Sequence, residues 1–345
     1  MRTIDWNGDH VVAIDQTRLP DVLEVVALRT VDELIDAVKR LVVRGAPALG
    51  VAGGLGVALA AVVADRAPDA SPQTRRQMVL AEAARIRAAR PTAVNLAWGV
   101  DRVLARLAEG TDAVVAEAVA MIAEDIATNE RLANRGADLV LELVGDRPVT
   151  VHTHCNAGGL ACVEWGTALG VVRALHERGR LRSVTADETR PLLQGARLTA
   201  FELQQMGASY QVVVDGAGPS IIARGLADVV IVGADRVAAN GDAANKIGTY
   251  PLALAAARAG VPFLVAAPES TVDLATPTGE DIEIELRDPA EVLAWHGIAT
   301  APVGADALNP AFDVTPADLV TALVTERRVV RCSKGERPDE IGAGG

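Results

Sequence analysis

The sequence predicts an α/β protein of two domains: a mostly helical N-terminal domain with a small antiparallel sheet, then a C-terminal domain built on a parallel sheet. At 345 residues the chain exceeds the size that one hydrophobic core usually serves. Helical periodicity dominates the first 145 residues, whereas short β-rich runs alternate with helices after residues 145–148. We therefore place the domains at 1–145 and 146–345.

The first 30 residues predict the small antiparallel sheet. Apolar and polar side chains alternate there, and Asn7-Gly8 and Leu19-Pro20 are turn signals. The apolar positions are Val11, Val12 and Ile14 in one run and Val22, Val25 and Ala27 in the next. A small antiparallel sheet follows from this pattern.

Helices are predicted for the remainder of the N-terminal domain. Residues 30–33 have the composition of a helix start, and helical periodicity continues to Val42, then over about 48–65, 72–89, 92–107 and 112–139. The tract 46–64 is apolar and long enough to cross a membrane. It contains four glycines and many alanines but no aromatic anchor, which favours a buried helix packed through small residues over a membrane span.

The C-terminal domain reads as strands alternating with helices, which predicts a parallel sheet with right-handed crossovers. The predicted strands are 149–153, 183–187, 210–215, 228–233 and 262–267. The predicted helices are about 159–177, 191–206, 217–224 and 248–259.

Composition excludes several classes of function. The formal net charge is -12, with a pI near 5.0, so the surface repels nucleic acid and acidic membranes. The three cysteines are an odd number, which suits a reducing cytoplasm, and the N-terminal residues lack the apolar segment of a signal peptide. We expect a cytoplasmic enzyme with no nucleic-acid or membrane partner. A small anionic ligand remains compatible with local arginine clusters.

Four of the predicted strands end in polar or reactive residues, at 153–156, 187–188, 215 and 233–236. Parallel strands end at one edge of a sheet, so these groups should line one crevice, the usual ligand site of such sheets. Cys155 and Asp235 are therefore expected to act together. Burial raises the pKa of a carboxyl group, which would let Asp235 donate a proton near neutral pH. The alternative for Cys155 is a buried thiol with a structural role only. The alternative for Asp235 is an aspartate that caps the next helix or pairs with Arg236.

Two arginines and one lysine are candidates for anion binding. Arg44 and Arg90 each stand just before a turn into a helix, where backbone amides favour phosphate, and surface arginines are the alternative. Lys246 follows Asn245 in a predicted loop before a helix, where it and the backbone amides are able to hold an anion or a sugar hydroxyl. The spacing there is not that of a Walker loop.

Nicotinamide and metal cofactors are not expected. The glycine-rich stretch from 50 to 56 follows no predicted strand, which disfavours a dinucleotide fingerprint. His152 and His154 share one strand face with Cys155 close by, but no second Cys/His pair with zinc-like spacing follows.

Six blocks together resemble the methylthioribose-1-phosphate isomerase family, which also contains regulatory subunits of the eukaryotic initiation-factor-2 exchange complex. The blocks are RGAPALGVAG at 44–53, RPTAVNLAWG at 90–99, THCNAGGLA at 153–161, ETRPLLQGARLTAFEL at 188–203, GADRVAANGDAANKIGTY at 233–250 and NPAFDVTPADL at 309–319. The resemblance implies a Rossmann-like C-terminal domain. It also implies a homodimer through that domain, for which 252–259 and 319–324 offer apolar faces.

The resemblance also implies roles for individual residues. Cys155 and Asp235 fall on the family's catalytic pair. Its substrate-binding positions fall on Arg44, Gly45, Ala46, Arg90, Gln194, Asn245 and Lys246. The regulatory subunits lack the full catalytic set, so its presence here favours an enzyme. The loop 215–219 departs from the usual family sequence, which leaves the 5-substituent of the sugar open.

The implied reaction converts 5-methylthioribose 1-phosphate into 5-methylthioribulose 1-phosphate, an aldose-ketose isomerisation of methionine salvage that requires no metal or nicotinamide. Related isomerases of 5-deoxyribose 1-phosphate or ribose 1,5-bisphosphate would use the same residues. A non-catalytic regulatory protein would keep the fold and lose the chemistry. Both alternatives stay open at this point.

Overall fold

The computed structural model describes residues 2–91, 93–295 and 297–340. The chain forms two compact units. Unit 1 comprises the chain up to Glu130 together with residues 157–166, and unit 2 comprises residues 131–156 and the chain from Thr167 onward. The mixed α/β class predicted from the sequence is confirmed.

Unit 1 consists of a small sheet followed by helices, as the sequence predicts. Its elements are β1 (Ile4–Trp6), β2 (Val11–Ile14), β3 (Val25–Leu28), α1 (Val31–Lys39), α2 (Ala46–Asp65), α3 (Pro72–Arg87), α4 (Val94–Leu104) and the first part of α5 (Thr111–Val144). The three strands pair antiparallel in the order β1-β2-β3. At the predicted helix start, the Thr30 side chain accepts from the Glu33 backbone and the Glu33 side chain accepts from the Thr30 backbone, a capping box that stabilises the first turn of α1.

The apolar helix α2 is a core helix that packs through small residues, as predicted. Its length and composition would also allow a membrane span, but most of its residues are buried within the structure. A Cβ on Gly99 of α4 would lie 1.9 Å from the Gly50 carbonyl oxygen, and one on Gly53 would lie 2.3 Å from the Leu96 carbonyl oxygen. The backbones of α2 and α4 therefore approach at distances that only glycine permits.

Unit 2 contains the end of α5 and all the later elements. These are β4 (Val149–Thr153), α6 (Ala168–Glu177), β5 (Leu181–Asp187), α7 (Ala200–Met206), β6 (Tyr210–Val213), α8 (Gly218–Ala223), β7 (Val229–Val232), β8 (Arg236–Ala238), β9 (Ala243–Lys246), α9 (Thr249–Ala259), β10 (Phe263–Ala266), β11 (Val272–Asp273), α10 (Ala290–Leu293), β12 (Ala294–Trp295), β13 (Ile298–Ala299), β14 (Phe312–Thr315), β15 (Ala322–Val324) and β16 (Val329–Val330).

The main sheet of unit 2 has seven strands in the order β16-β15-β10-β7-β4-β5-β6. All neighbours are parallel except β15 and β16, which pair antiparallel. Counted along the chain, the six parallel strands have the order 3-2-1-4-5-6, which is that of a doubly wound Rossmann sheet. The order reverses between β4 and β7, and ligands of such sheets bind outside the strand ends at this position.

Three local predictions were wrong. The helix predicted for 159–177 begins only at Ala168, because residues 157–166 form a short turn and irregular backbone tied to unit 1. Asn245 and Lys246 lie on β9, which pairs with β8 and β14, and not in a loop. The predicted partner face at 319–324 includes β15, whose residues are buried in the main sheet.

The packing also divides the chain differently from the predicted boundary at 145/146. Residues 131–144 of α5 group with unit 2, where a Cβ on Gly136 would lie 2.4 Å from a methyl of Val171. Residues 157–166 group with unit 1, where Thr3 Oγ1 donates to the Gly159 carbonyl over 2.7 Å. Long-range contacts of this kind leave no periodic signal in the sequence.

Candidate active site

Cys155 and Asp235 lie beyond the carboxyl ends of the two strands where the sheet order reverses. β4 and β7 pair in parallel, with His152 opposite Val230, and Thr153 Oγ1 donates to the Ile231 carbonyl over 2.8 Å. Cys155 follows β4 by two residues and Asp235 follows β7 by three. The topology thus brings the ends of the two strands that carry these residues side by side, as the sequence predicted.

Cys155 has an unusual backbone conformation. Its φ is 60°, a value that residues other than glycine and asparagine rarely adopt. The residue is buried, its N–H donates to Thr189 Oγ1 over 2.8 Å, and its carbonyl accepts from Thr199 Oγ1 over 2.6 Å. Such conformations persist only when the surroundings impose them, and they concentrate at functional sites.

Asp187, the last residue of β5, lies between two buried histidines. Its Oδ2 is 2.8 Å from His154 Nδ1, and its Oδ1 is 3.2 Å from His152 Nε2 without hydrogen-bond alignment. Burial alone would raise the pKa of Asp187, but the two adjacent histidines, His152 and His154, outweigh burial and lower it below its usual value. The carboxylate is therefore stable in its charged form despite being almost inaccessible.

His154 connects three strand ends. Its Nδ1 faces Asp187 at the end of β5, while its Nε2 is 2.8 Å from the Ile247 carbonyl after β9. Since a carbonyl only accepts, Nε2 carries a hydrogen and donates. Both ring nitrogens contact protein acceptors, so His154 braces the strand that carries Cys155 against the segment that follows Lys246.

Asp235 is half-buried, and its N–H donates to the Ala244 carbonyl over 2.9 Å. The sequence left a pairing of Asp235 with Arg236 open. Arg236 Nη1 instead donates to Asp273 Oδ2 over 2.6 Å, so this arginine has its ion pair elsewhere.

Three further predicted site residues lie in unit 2. Gln194 is buried, and its Oε1 has no hydrogen-bond partner in the part of the chain that the structure describes. Asn245 donates to Thr249 Oγ1 over 2.9 Å. Lys246 Nζ donates to the Ala311 carbonyl over 2.8 Å and lies 4.7 Å from the centroid of the Phe312 ring. A buried amide oxygen without a partner costs energy, which makes Gln194 a candidate ligand for a hydroxyl.

The backbone amides before α9 are already occupied by a side chain of the protein. Asp313 accepts from the Gly248 N–H over 2.8 Å and from the Tyr250 N–H over 3.1 Å. Burial raises the pKa of Asp313, and these two bonds oppose the rise. The prediction that these amides hold an anionic ligand was wrong, because an aspartate holds them.

The remaining predicted residues lie in unit 1, around the first turns of α2 and α4. Arg44 and Gly45 precede α2, and Ala46 is its first residue. Arg90 precedes α4, and its carbonyl accepts from the Ala93 N–H over 3.0 Å. Neither helix has a side-chain cap among the described residues; Thr92, within the second motif, lies outside them.

α2 and α4 contact each other near their first turns. A Cβ on Gly50 would meet Asn95 and Trp98, and one on Gly54 would meet Val103. An uncapped helix start preceded by arginine favours phosphate.

One group of side chains in the described residues has the spacing of metal ligands. One ligand atom from each of His154, Asp187 and Asp215 lies within 4.8 Å of the others. The Asp215 carboxylate accepts from the N–H groups of Thr189 and Arg190, each over 2.7 Å, and Asp187 faces His154. Protein groups thus hold the atoms that would bind a metal ion.

The sequence did not reveal the parts played by His154, Thr189 and Thr199. The strand-end pattern pointed to the regions of His154 and Asp187, but not to their contact. Thr199 lies in the predicted helix 191–206, whose backbone instead has a π-helical turn at Gly195–Thr199. Thr189 precedes that predicted helix and has a φ of 67°. A positive φ at a β-branched residue contradicts local preference, so no sequence signal announces it.

The chain matches a known protein family and is similar in sequence to isomerases from two bacteria. The sequence profile of the Initiation factor 2 subunit family matches residues 42–332. A "Probable bifunctional methylthioribose-1-phosphate isomerase/methylthioribulose-1-phosphate dehydratase" of Nocardia farcinica is 54% identical over 98% of this chain, which spans only 61% of that longer protein. A "Methylthioribose-1-phosphate isomerase" of Gloeobacter violaceus is 48% identical over 100% of this chain and 96% of its own length.

Two solved structures share the fold at substantial sequence identity. That of 5-methylthioribose 1-phosphate isomerase from Pyrococcus horikoshii is 39% identical with a TM-score of 0.87, covering 97% of this chain and 95% of that one. That of the translation initiation factor eIF-2B, subunit delta, from A. fulgidus is 41% identical with a TM-score of 0.85, covering 96% of both chains.

Proposed function

This chain belongs to the Initiation factor 2 subunit family, and from that premise we propose that it is an isomerase of 5-methylthioribose 1-phosphate in methionine salvage. The observation that carries the proposal is the placement of Cys155 and Asp235 beyond β4 and β7, where a doubly wound sheet binds its ligand. The relatives from N. farcinica and G. violaceus carry isomerase names, which agrees with this chemistry.

The reaction requires an acid and a base but no net oxidant. The bond between C1 and the ring oxygen breaks, and the ring oxygen gains a proton. A hydrogen then moves from C2 to C1, either as a hydride or by loss and return of a proton, while the C2 hydroxyl loses its proton and becomes the ketone. Substrate and product are therefore isomers.

Asp235 and Cys155 take the two chemical roles in this proposal. Asp235 donates the proton to the ring oxygen, a task that suits a half-buried carboxyl group. Cys155 either exchanges a proton at C1 and C2 or shapes the site for a hydride shift. Gln194, Asn245 and Lys246 take substrate-binding roles in this proposal.

The phosphate-binding role belongs to Arg44, Gly45, Ala46 and Arg90 in this proposal. Each arginine precedes an uncapped helix of unit 1, α2 or α4, where backbone amides and the helix dipole favour an anion. Arg44→Ala and Arg90→Ala should each raise KM about 30-fold, equivalent to about 2 kcal/mol for a charge-assisted bond. Inorganic phosphate should compete with the substrate in the wild type. Unchanged KM in both variants would move the phosphate site elsewhere.

The apolar start of α2 is proposed to bind the 5-substituent. A Cβ added to Gly50 would lie 3.4 Å from the Trp98 ring. The Trp98 side chain itself is 45% exposed. Such a surface suits a methylthio or methyl group, whereas burying an unpaired second phosphate there would be costly.

The decisive experiment is a turnover assay of the purified chain with three sugar phosphates. We expect kcat/KM to be highest for 5-methylthioribose 1-phosphate, lower for 5-deoxyribose 1-phosphate and lowest for ribose 1,5-bisphosphate. Preference for the bisphosphate would overturn the pocket assignment. Binding without turnover of any of the three would favour a regulatory protein, the alternative prompted by the likeness to the eIF-2B subunit structure.

We further propose a cytoplasmic homodimer formed through unit 2. Tyr250 and Leu254 on α9 are 38% and 44% exposed and offer apolar surface to a second copy. Closed two-fold dimers are the commonest soluble assembly. Light scattering at micromolar concentration tests the assembly, and a monomeric mass would contradict it.

A further inference from the structure

We infer that Thr189 and Thr199 are positioning residues that set the direction of the Cys155 thiol during turnover. The inference rests on the proposed isomerase function and deepens it, because neither threonine belongs to the catalytic pair or to the substrate-binding positions. It is drawn from the hydrogen bonds around one strained residue.

The two threonine hydroxyls occupy both backbone polar groups of Cys155. Thr189 Oγ1 accepts from the Cys155 N–H over 2.8 Å, and Thr199 Oγ1 donates to the Cys155 carbonyl over 2.6 Å. Both threonines are completely buried, so water does not replace them. With a φ of 60°, Cys155 has left its preferred conformation, which destabilises the chain locally unless neighbours compensate.

The directions of these hydrogen bonds are mutually consistent. Since the Cys155 N–H is a donor, Thr189 Oγ1 must accept there, and it donates its own hydrogen to the Asp187 carbonyl at 3.1 Å. Since the Cys155 carbonyl is an acceptor, Thr199 must donate there, and it accepts from Asn156 Nδ2 at 3.3 Å. Each hydroxyl thus has one donor role and one acceptor role, both used.

The segment that carries the threonines is itself held rigidly. The Asp215 carboxylate accepts from the backbone N–H of Thr189 over 2.7 Å. A Cβ on Gly195 would lie 1.7 Å from the Asp187 carbonyl oxygen, so the segment approaches β5 as closely as glycine allows. The π-helical turn Gly195–Thr199 then places the second hydroxyl. Turns of this kind are frequent at functional sites.

Hydrogen bonds to the peptide units on both sides of Cys155 form a clamp that fixes the direction of its Cα–Cβ bond, and hence where its side chain starts. Rotation of the Cys155 backbone would break at least one of the two bonds and leave a buried polar group without a partner. Small misplacements of a reacting group reduce rates strongly, so the clamp should matter for kcat rather than for substrate binding.

The test compares valine, serine and alanine at each threonine. Valine keeps the shape and removes the hydroxyl, whereas serine keeps the hydroxyl and removes a methyl group. Thr325→Val is the matched control, because Thr325 is completely buried and donates to Glu269 Oε1 over 2.6 Å, outside the clamp. The measurements are kcat and KM for 5-methylthioribose 1-phosphate and the rate of Cys155 alkylation by iodoacetamide, followed by peptide mass spectrometry.

We expect Thr189→Val and Thr199→Val to lower kcat at least about tenfold while KM stays within about threefold. Both variants should also change the alkylation rate of Cys155 by at least about threefold, since alkylation depends on exposure and direction of the thiol. The serine variants should remain within about threefold of wild type in both measurements, and Thr325→Val should leave kcat unchanged. If a valine variant does not fold, the alanine and serine variants at that position provide the same comparison.

A kcat within about twofold of wild type in folded valine variants would overturn the inference, as would a rise in KM at constant kcat. Equal losses in the valine and serine variants would also overturn it, since they would reflect packing. If the wild type turned over no sugar phosphate, the proposed function would fail. The alkylation measurements would still test the clamp, so the two failures are distinguishable.

Discussion

Unit 1 contains a half-buried aspartate and unit 2 a fully buried one, and the surroundings move the two pKa values in opposite directions. Asp125 on α5 accepts from the Val163 N–H over 2.8 Å, and loss of solvent around it, only partly opposed by that bond, raises its pKa to about 6. Asp187 is more deeply buried, but His152 and His154 outweigh burial and lower its pKa. One carboxylate has neighbours that disfavour its charge, and the other has neighbours that favour it.

The difference reflects how each region is built. The helices of unit 1 pack through apolar side chains and close glycine contacts, so a charge within them has little compensation. The strand ends of unit 2 place polar groups together because all parallel strands end at one edge. Buried charge there is balanced by histidines, and the same polar neighbourhood imposes the strained backbone of Cys155. Stability and chemistry thus depend on different residues.

Removing the Asp187 charge should have the largest effect on stability. Asp187→Asn leaves His154 buried beside a neutral group, and we expect a loss of about 3 kcal/mol or more in the free energy of unfolding at pH 7. Asp125→Asn, the matched variant in unit 1, should be neutral or stabilising at that pH. Urea unfolding measures both, and equal losses would contradict the comparison.

The pH dependence of stability should distinguish the two aspartates next. Because folding raises the pKa of Asp125, its protonated carboxyl group stabilises the folded state at pH values below the unfolded pKa of 3.8. This stabilisation is lost as the pH rises through the folded pKa of about 6. The free energy of unfolding of Asp125→Asn relative to wild type should therefore rise by up to about 3 kcal/mol between pH 4 and pH 8.

Asp187 has the opposite dependence, because its folded pKa is depressed. Its contribution is present above the unfolded value of 3.8 and is lost as the pH falls through the lower folded value. If the free energies of unfolding of Asp125→Asn and wild type differ by the same amount from pH 4 to pH 8, burial does not destabilise the Asp125 carboxylate.

Substitution of the proposed catalytic pair should affect turnover and leave the fold intact. We expect Cys155→Ser and Asp235→Asn each to lower kcat at least about 100-fold, roughly 2.7 kcal/mol, as for the loss of a positioned proton-transfer group. Cys332→Ser is the control, since burial raises the pKa of that thiol to about 11 and it lies near the chain end. Near-wild-type kcat in either pair variant would remove that residue from the chemistry.

The smallest expected effect concerns the glycine contacts of unit 1. Gly99→Ala places a methyl group against the Gly50 carbonyl oxygen and should cost about 2 kcal/mol of stability through overpacking. Gly50→Ala meets its neighbours only at 3.4 Å and should be tolerated, because alanine favours a helix by up to about 1 kcal/mol. Thermal unfolding of both variants is the measurement. Equal Tm values would contradict close packing as the basis of the α2 and α4 pair.

Much of the architecture was predictable from local pattern. Alternation of apolar residues predicted β4 accurately, and the polar residues at the strand ends pointed to the sheet edge beyond which Cys155 and Asp235 lie. The small residues of 46–64 correctly indicated a buried helix. These features follow from side-chain period and from the rule that parallel strands end together, and both are written in short stretches of sequence.

The tertiary structure decided what depends on residues far apart in the chain. The helix predicted from 159 begins only at Ala168, because Thr3 and Asp125 hold residues 157–166 in unit 1. The amides before α9 bind Asp313 of β14, 65 residues from Gly248, and not a ligand.

The clamp on Cys155 is of the same kind. Local preference disfavours a positive φ at both Cys155 and Thr189, so short-range patterns do not predict it. Hydrogen bonds between segments 34 and 44 residues apart stabilise it at Cys155. Sequence periodicity determined which residues reach the sheet edge, whereas long-range hydrogen bonding determined the conformation in which they are held, because strain is stable only where a folded environment compensates it.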